Sequence, residues 1–318
     1  MTDFTARLRQ AFGDERVRRD VPLAPFTTFK LGGPADWLLE VRGAEELHRA
    51  LELAVEAHVP VTVLGGGSNV LVADAGVRGL VIRMRGRTVQ LATPTLVRAD
   101  AGLAINGLVR WTILHGLAGL EAWAGTPGTV GGAVFGNAHF RGRLISELVE
   151  AVRLFTPSGE LMEVPAIEMG FDYDYSRLQQ TREIAVSADF RVSSGEPAAL
   201  REIARESLAF RKRTQPLESA SAGCVFQNPD PARDRVPEGI PPSAGALVDR
   251  AGLKDAREGG ARVSPAHANF IVNDGGASAR DIRALIDRCK RTVKERFGVE
   301  LREEIVSLGF GGESRNTW

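Results

Sequence analysis

The chain has only two cysteines, Cys224 and Cys289, in 318 residues. That is too few for a disulfide framework or a cysteine-built zinc site. It also lacks net charge, since 40 Lys+Arg balance 40 Asp+Glu. Without a field of one sign, neither nucleic acid nor anionic lipid is an expected partner. No apolar run approaches the roughly 20 residues that cross a bilayer, and the opening MTDFTARLRQAFGDERVRRD is charged rather than signal-like. A cytoplasmic protein is expected. The five histidines show no metal-ligand spacing, so no metal is expected either. With 43% hydrophobic and 25% charged residues the composition is that of a globular chain and excludes disorder. Its length suggests two or three domains.

What the chain has in excess is glycine, 35 residues, and these cluster. Val61 to Leu64 is a short buried-strand pattern, and Gly65-Gly66-Gly67-Ser68-Asn69 follows it. Such a turn lets the backbone approach a ligand and points N–H groups into one concavity, which suits a pyrophosphate. A Walker loop is excluded because no Gly-Lys-Ser/Thr follows. A Rossmann fingerprint is excluded because Val70 stands where a glycine is needed and VLVAD reads as extended chain. Taken alone, the segment could still be a tight hairpin turn. The second cluster, GTPGTVGGAVFGN from Gly125 to Asn137, shifts that balance. Each glycine weakens a helix interior by about 1 kcal/mol, and a turn without a ligand rarely needs more than one or two. Two loops rich in free N–H groups imply one extended anionic ligand gripped from both sides, and a dinucleotide diphosphate has that shape.

The remaining pattern is α+β. FTTFKLGGPADWLLEVR, residues 26–42, suggests a strand, a Gly-Gly-Pro turn and a second strand. Helices are expected over Ala44 to His58, Ile105 to His115 and Leu200 to Lys212, and strands within Leu80 to Ala101 and Val149 to Val164. Residues 229–242 carry five prolines and read as a surface loop. Ser278 and Asp281 form a capping box for a helix that Gly298 stops. Cys289 lies on that helix's apolar stripe and is assigned to the core. LREEIVSLG reads as a closing strand, with Glu303 and Glu304 on opposite faces and Glu303 a solvated charge. A domain boundary is placed near 200.

TTFKLGGPADW, VLGGGSNVLVAD, GTPGTVGGAVFGNA, SAGCVFQNP, AGLKDAREGGARVSPAHANFIVN and LREEIVSLG occur in that order over nearly the whole chain. Together they resemble the UDP-N-acetylenolpyruvoylglucosamine reductases, the MurB family of peptidoglycan precursor synthesis. The short connection from Ser176 to Ile184 is similar to the family's second type, which lacks the tyrosine loop. The resemblance implies a two-lobed FAD-binding domain of the vanillyl-alcohol-oxidase (PCMH) type over 22–195, with lobes of about 22–80 and 81–195. An N-terminal helix and lead-in over 1–21 would precede it, and a smaller α+β substrate domain over 200–318 would follow. FAD would contact Leu64, Gly65, Gly66, Gly67, Ser68, Asn69 and Val70 of the first loop. It would also contact Gly125, Thr126, Pro127, Gly128, Val130, Gly131, Gly132, Ala133 and Asn137 of the second, and Ile184. NADPH would supply hydride, and the small-molecule substrate would be the enolpyruvyl ether of UDP-N-acetylglucosamine. The protein would be a monomer or weak homo-oligomer.

Hydride addition to a vinyl carbon conjugated with a carboxylate needs a proton donor and stabilisation of the spreading charge. The family's donor is a serine, matched here by Cys224, whose thiol is the stronger acid and is mostly protonated at neutral pH. Glu304 matches the family's catalytic glutamate and Tyr173 its tyrosine. Arg211, Gln227, Asn228 and His267 match expected contacts to the UDP-sugar. One position departs: the family's arginine in Gly-Phe-Gly-Tyr-Arg-x-Ser is Asp174 in Gly170-Phe171-Asp172-Tyr173-Asp174-Tyr175-Ser176. At 4 Å and an effective dielectric near 20, that reversal turns about 4 kcal/mol of attraction into repulsion. The expected remedies are that Asp174 turns away, that Arg177 swings in, or that the substrate differs, and Arg177 is the favoured one. The alternative function is a flavin- and UDP-sugar-binding homologue whose turnover is lost or altered by Asp174.

Overall fold

In a computed structural model, which describes residues 2–311, three apolar patterns build three packed bodies. In the first, strands Val17–Pro22, Pro34–Val41, Val77–Met84 and Val61–Leu64 lie side by side in that order. The helix Ala44–Glu56 covers them with Leu47, Ala50, Leu51, Leu53 and Ala54, the face its period dictates. Phe4, Leu8 and Phe12 of the helix Thr2–Phe12 complete the same core. In the second body, Leu161–Pro165, Val149–Phe155, Ile184–Arg191, Leu96–Asp100 and Val89–Thr93 form an antiparallel sheet under the helix Ile105–Leu114. In the third, Arg257–Glu258, Ala261–Val263 and Ile271–Asn273 pack against helices Ala244–Arg250 and Ala279–Phe297.

Several boundaries differ from expectation. Phe26 to Lys30 is a run of turns, with Lys30 at φ 57°, and not a strand. The strand that pairs with Pro34–Val41 is the charged VRRDVP of Val17–Pro22, so the lead-in belongs to the first lobe. That lobe's Val77–Met84 strand also runs through the expected division at 80. The helix Pro197–Thr214 buries Leu200 and Ala204 in the second lobe's core, so the chain leaves that body after Thr214 rather than near 200. Of LREEIVSLG only Val306–Leu308 is strand.

That short strand positions the site. Val306–Leu308 pairs in parallel with Val70–Val72, directly after the first glycine loop. Asn69 reinforces the tie, since its carbonyl accepts from Val306 N–H at 3.0 Å and its side-chain amide donates to the Glu304 carbonyl at 3.1 Å. The tail of the third body is thereby stitched to the first. The buried helix residue Cys289 is core, its thiol pushed up to about 12 by burial. Among the described residues no helix is long and apolar enough to cross a membrane.

Candidate active site

The three bodies enclose a cavity of about 920 Å³. Leu64 to Val70 line it, as do Thr126, Pro127, Gly128, Gly131, Gly132, Ala133 and Ile184. The two glycine loops meet at their bases, where a Cβ on Gly66 would stand 2.7 Å from Gly128 Cα. Above that contact they part into the cavity. In the first loop the carbonyls are used by the fold: Gly67 O accepts from Thr28 N–H and Asn69 O from Val306 N–H. The N–H groups of Gly66, Gly67, Ser68 and Asn69 take no partner among the described residues. Backbone donors left free at a cavity wall are what a diphosphate requires. The first loop therefore fits a dinucleotide.

The second loop is different from expectation. Val130–Phe135 is a short helix with Thr129 as its N-cap. The N–H groups of Gly125, Thr126, Val130, Gly131 and Ala133 are all spent within the chain. Two of its glycines serve close approach, since a Cβ on Gly131 would stand 2.9 Å from Ala101 Cβ and one on Gly125 2.7 Å from Leu208. Gly128, Gly131 and Gly132 line the cavity, and the N–H groups of Gly128 and Thr129 take no partner among the described residues. Gly125, Val130 and Asn137 do not reach the cavity wall. Asn137 is fully buried and braces the turn that carries Asp174, donating to Asp172 O at 2.8 Å.

The cavity is also lined by Cys224, Glu304, Asp174, Arg211, Gln227 and His267. Burial drives the Cys224 thiol well above its ordinary value, and the acidic Glu304 and Asp174 add to the effect. A hydrogen bond with Asn269 and the charge of Arg211 pull the other way and lose. Cys224 is thus a thiol at neutral pH. Burial likewise holds the Glu304 carboxyl well above the usual carboxylate range, and Asp174 pushes it further. Arg211 is brought down to about 10 by burial. Its guanidinium lies 3.7 Å from the Phe140 ring centroid and donates to Thr126 Oγ1 at 2.7 Å. His267 is lowered by burial and accepts the Asn269 N–H at 3.2 Å.

Three expected residues sit elsewhere. Arg177 forks onto Glu183, with Nε 2.8 Å from Oε2, and does not line the cavity. It does not swing in to replace the arginine. Asn228 is exposed and caps the helix Ala244–Arg250, its Oδ1 accepting Ala244 N–H at 3.1 Å. Tyr173 stands behind the wall, its Oη accepting Asn228 N–H at 3.5 Å and its ring 4.9 Å from that of His139. Burial, then the charges of Asp174 and Glu304, raise its phenol. Nor is Glu303 solvated: its side chain is 22% exposed and takes hydrogen bonds from Arg283 at 2.6 Å and Lys290 at 2.9 Å.

Sequence reasoning missed His139. Its Nδ1 is 2.8 Å from Asp174 Oδ1, and ligand atoms of His139, Asp174 and Glu304 all lie within 4.8 Å of one another. Asp174 and Glu304 are 130 residues apart and no local spacing relates them.

Comparison with known proteins agrees with this geometry. Residues 35–165 match an FAD binding domain, and residues 215–308 match the C-terminal domain of UDP-N-acetylenolpyruvoylglucosamine reductase. The chain is 40% identical over 311 residues to UDP-N-acetylenolpyruvoylglucosamine reductase 2 of Symbiobacterium thermophilum, covering 97% of this chain and 98% of that one. It is 40% identical over 299 residues to the reductase of Gloeobacter violaceus, covering 93% and 98%. The crystal structure of the Thermus caldophilus reductase superposes with a TM-score of 0.77 at 37% identity, over 92% of this chain and 99% of that one. The chain belongs to the UDP-N-acetylenolpyruvoylglucosamine reductase (MurB) family.

Proposed function

We propose that the protein is an NADPH-dependent flavoenzyme that reduces the enolpyruvyl ether of UDP-N-acetylglucosamine to UDP-N-acetylmuramate in the cytoplasm. The observation that carries this reading is the meeting, across one cavity, of a loop of unpartnered backbone N–H groups with a buried thiol and a buried carboxyl. Gly66 to Asn69 would hold FAD, which when bound would supply the hydride. The chain's own residues do the rest. Cys224 Sγ–H gives its proton to the carbon next to the substrate carboxylate, while the other vinyl carbon takes the hydride. The thiolate left behind is favoured by the charge of Arg211 and the hydrogen bond with Asn269, which therefore assist the transfer. Glu304, kept protonated by burial and by Asp174, holds the proton that can return to Cys224. Arg211, Gln227 and His267 face the space left for the UDP-sugar.

The purified protein should be yellow, and its NADPH oxidation should depend on the enolpyruvyl UDP-sugar. A colourless protein that takes up no flavin would end this reading. Cys224→Ser should keep substantial turnover, whereas Cys224→Ala should lose a factor on the order of 10²–10⁴. Equal rates in the two variants would remove the thiol from the mechanism. The buried carboxyl pair favours a second reading, a homologue that binds FAD and UDP-sugar without turnover. Flavin and UDP-sugar binding with no substrate-dependent NADPH oxidation would establish it.

A further inference from the structure

The end of the cavity that holds Cys224 carries two carboxyl groups, Asp174 and Glu304, and it must admit a substrate that itself bears a carboxylate. The last point rests on the proposed function. Some cation must face that end. Arg177 is held by Glu183, while Arg141, Arg182, Arg211 and Arg213 line other parts of the same cavity wall. His139 is the basic residue whose ring stands among the two carboxyls, with ligand atoms of His139, Asp174 and Glu304 all within 4.8 Å of one another.

We propose that His139, aimed by Asp174, is the residue that recognises the substrate's carboxylate. The geometry is built rather than accidental. Asp174 sits at φ 53°, a left-handed conformation that costs a residue with a side chain and must be held by its surroundings. It is held on both sides. Gln179 Nε2 donates to Asp174 O at 2.8 Å, Asn137 Nδ2 to Asp172 O at 2.8 Å, and Ser176 Oγ to Phe135 O at 2.8 Å. The Asp174 side chain is only 7% exposed, and its Oδ2 is buried without a hydrogen-bond partner. Its Oδ1 accepts from His139 Nδ1–H at 2.8 Å. That bond fixes the ring, which the tilted Tyr173 ring supports from its side at 4.9 Å. Nε2 makes no hydrogen bond among the described residues, and the ring lies on the cavity wall. When protonated, His139 offers Nε2–H as a charged donor while Asp174 balances its charge, an arrangement suited to one carboxylate. Asp174 is a positioning residue in this scheme, acting through His139. No proton leaves His139, and no bond is made or broken there.

The test is a titration-calorimetry comparison on the FAD-loaded protein. UDP-N-acetylmuramate and the enolpyruvyl UDP-sugar carry the carboxylate, and UDP-N-acetylglucosamine lacks it. A charge-assisted hydrogen bond of ordinary strength corresponds to about a ten- to hundredfold difference in Kd. His139→Gln should weaken the two carboxylate ligands by that factor and leave UDP-N-acetylglucosamine unchanged. His139→Phe, which keeps the ring contact with Tyr173, should do the same, with flavin content reporting the fold. Asp174→Asn keeps an acceptor for Nδ1–H and should preserve most of the preference, and Asp174→Ala should lose it. Retention of the full preference in both His139 variants overturns the assignment. So does a wild-type preference that vanishes on dialysis against EDTA and returns with Mn²⁺, because an ion between His139, Asp174 and Glu304 would then be the cation. If UDP-N-acetylglucosamine itself fails to bind, the proposed function falls and this inference falls with it. Binding of that sugar without any carboxylate preference overturns the inference alone.

Discussion

Glu303 and Glu304 are neighbours in the chain and opposites in the structure. Glu303 faces the helix Ala279–Phe297. There burial works against its charge, but hydrogen bonds from Arg283 and Lys290 more than compensate and hold it below the usual carboxylate range. Glu304 faces the cavity. Burial again works against its charge, and its nearest charged neighbour is another acid, Asp174, so it is raised. The same side chain is held toward its anion on one side and toward its neutral acid on the other, where burial is deeper and comes first among the causes. Burial works against the charge at both sites, and only Glu303 has partners that reverse it. A carboxylate held in its charged form and a carboxyl pushed toward its neutral form are thus told apart by what surrounds them, and chain position separates them by one residue.

If that contrast is correct, removing the two carboxylates should damage different properties. Glu304→Gln should lower kcat by a factor on the order of 10²–10⁴ while leaving the thermal midpoint unchanged or raised, because a neutral amide relieves the buried acid pair. Glu303→Gln should leave kcat within about threefold. Its cost is stability, about 1–3 kcal/mol, since Arg283 keeps only Asp287 and a half-buried cation loses its better partner. Kinetics and urea denaturation on both variants would check this. A large loss of stability in the Glu304 variant, or of kcat in the Glu303 variant, would erase the distinction.

What the sequence could and could not show follows the same division between local and assembled features. The first glycine loop was legible because its chemistry is backbone chemistry, and Gly65-Gly66-Gly67 announces it locally. The helix from Ser278 to Gly298 was legible for the same reason, its capping box and αL stop being local signals. The second loop was legible only in part, because glycine marks close approach as well as ligand binding, and composition does not separate the two. Gly131 against Ala101 and Gly125 against Leu208 are packing glycines. Cys224 and Glu304 were singled out through a resemblance, and both line the cavity. His139 was out of reach, because its meaning comes from Asp174, 35 residues on, and from a turn whose supports are scattered over residues 135–179. Arg177 failed as a substitute because its sequence distance from Asp174 says nothing about Glu183, which claims it.

The smallest effect, and the most direct on the two glutamates, is in the pH dependence of stability. Glu304 has a folded pKa above its unfolded value near 4.3. Its stabilising contribution is present in full below that value and is lost as pH rises through its raised folded pKa. Glu303 has a folded pKa below the same reference, so its contribution is present above about 4.3 and is lost as pH falls through its lowered value. The two windows lie on opposite sides of the ordinary glutamate pKa and do not overlap. Between about pH 4.5 and 8 the stability of Glu304→Gln relative to wild type should climb, while that of Glu303→Gln stays level. Below about pH 4.3 the deficit of Glu303→Gln should close instead. Urea midpoints of the three proteins across this range would show it. A Glu304→Gln curve parallel to wild type from pH 4.5 to 8 would mean that Glu304 is ionised throughout, and the proton store proposed beside Cys224 would not exist.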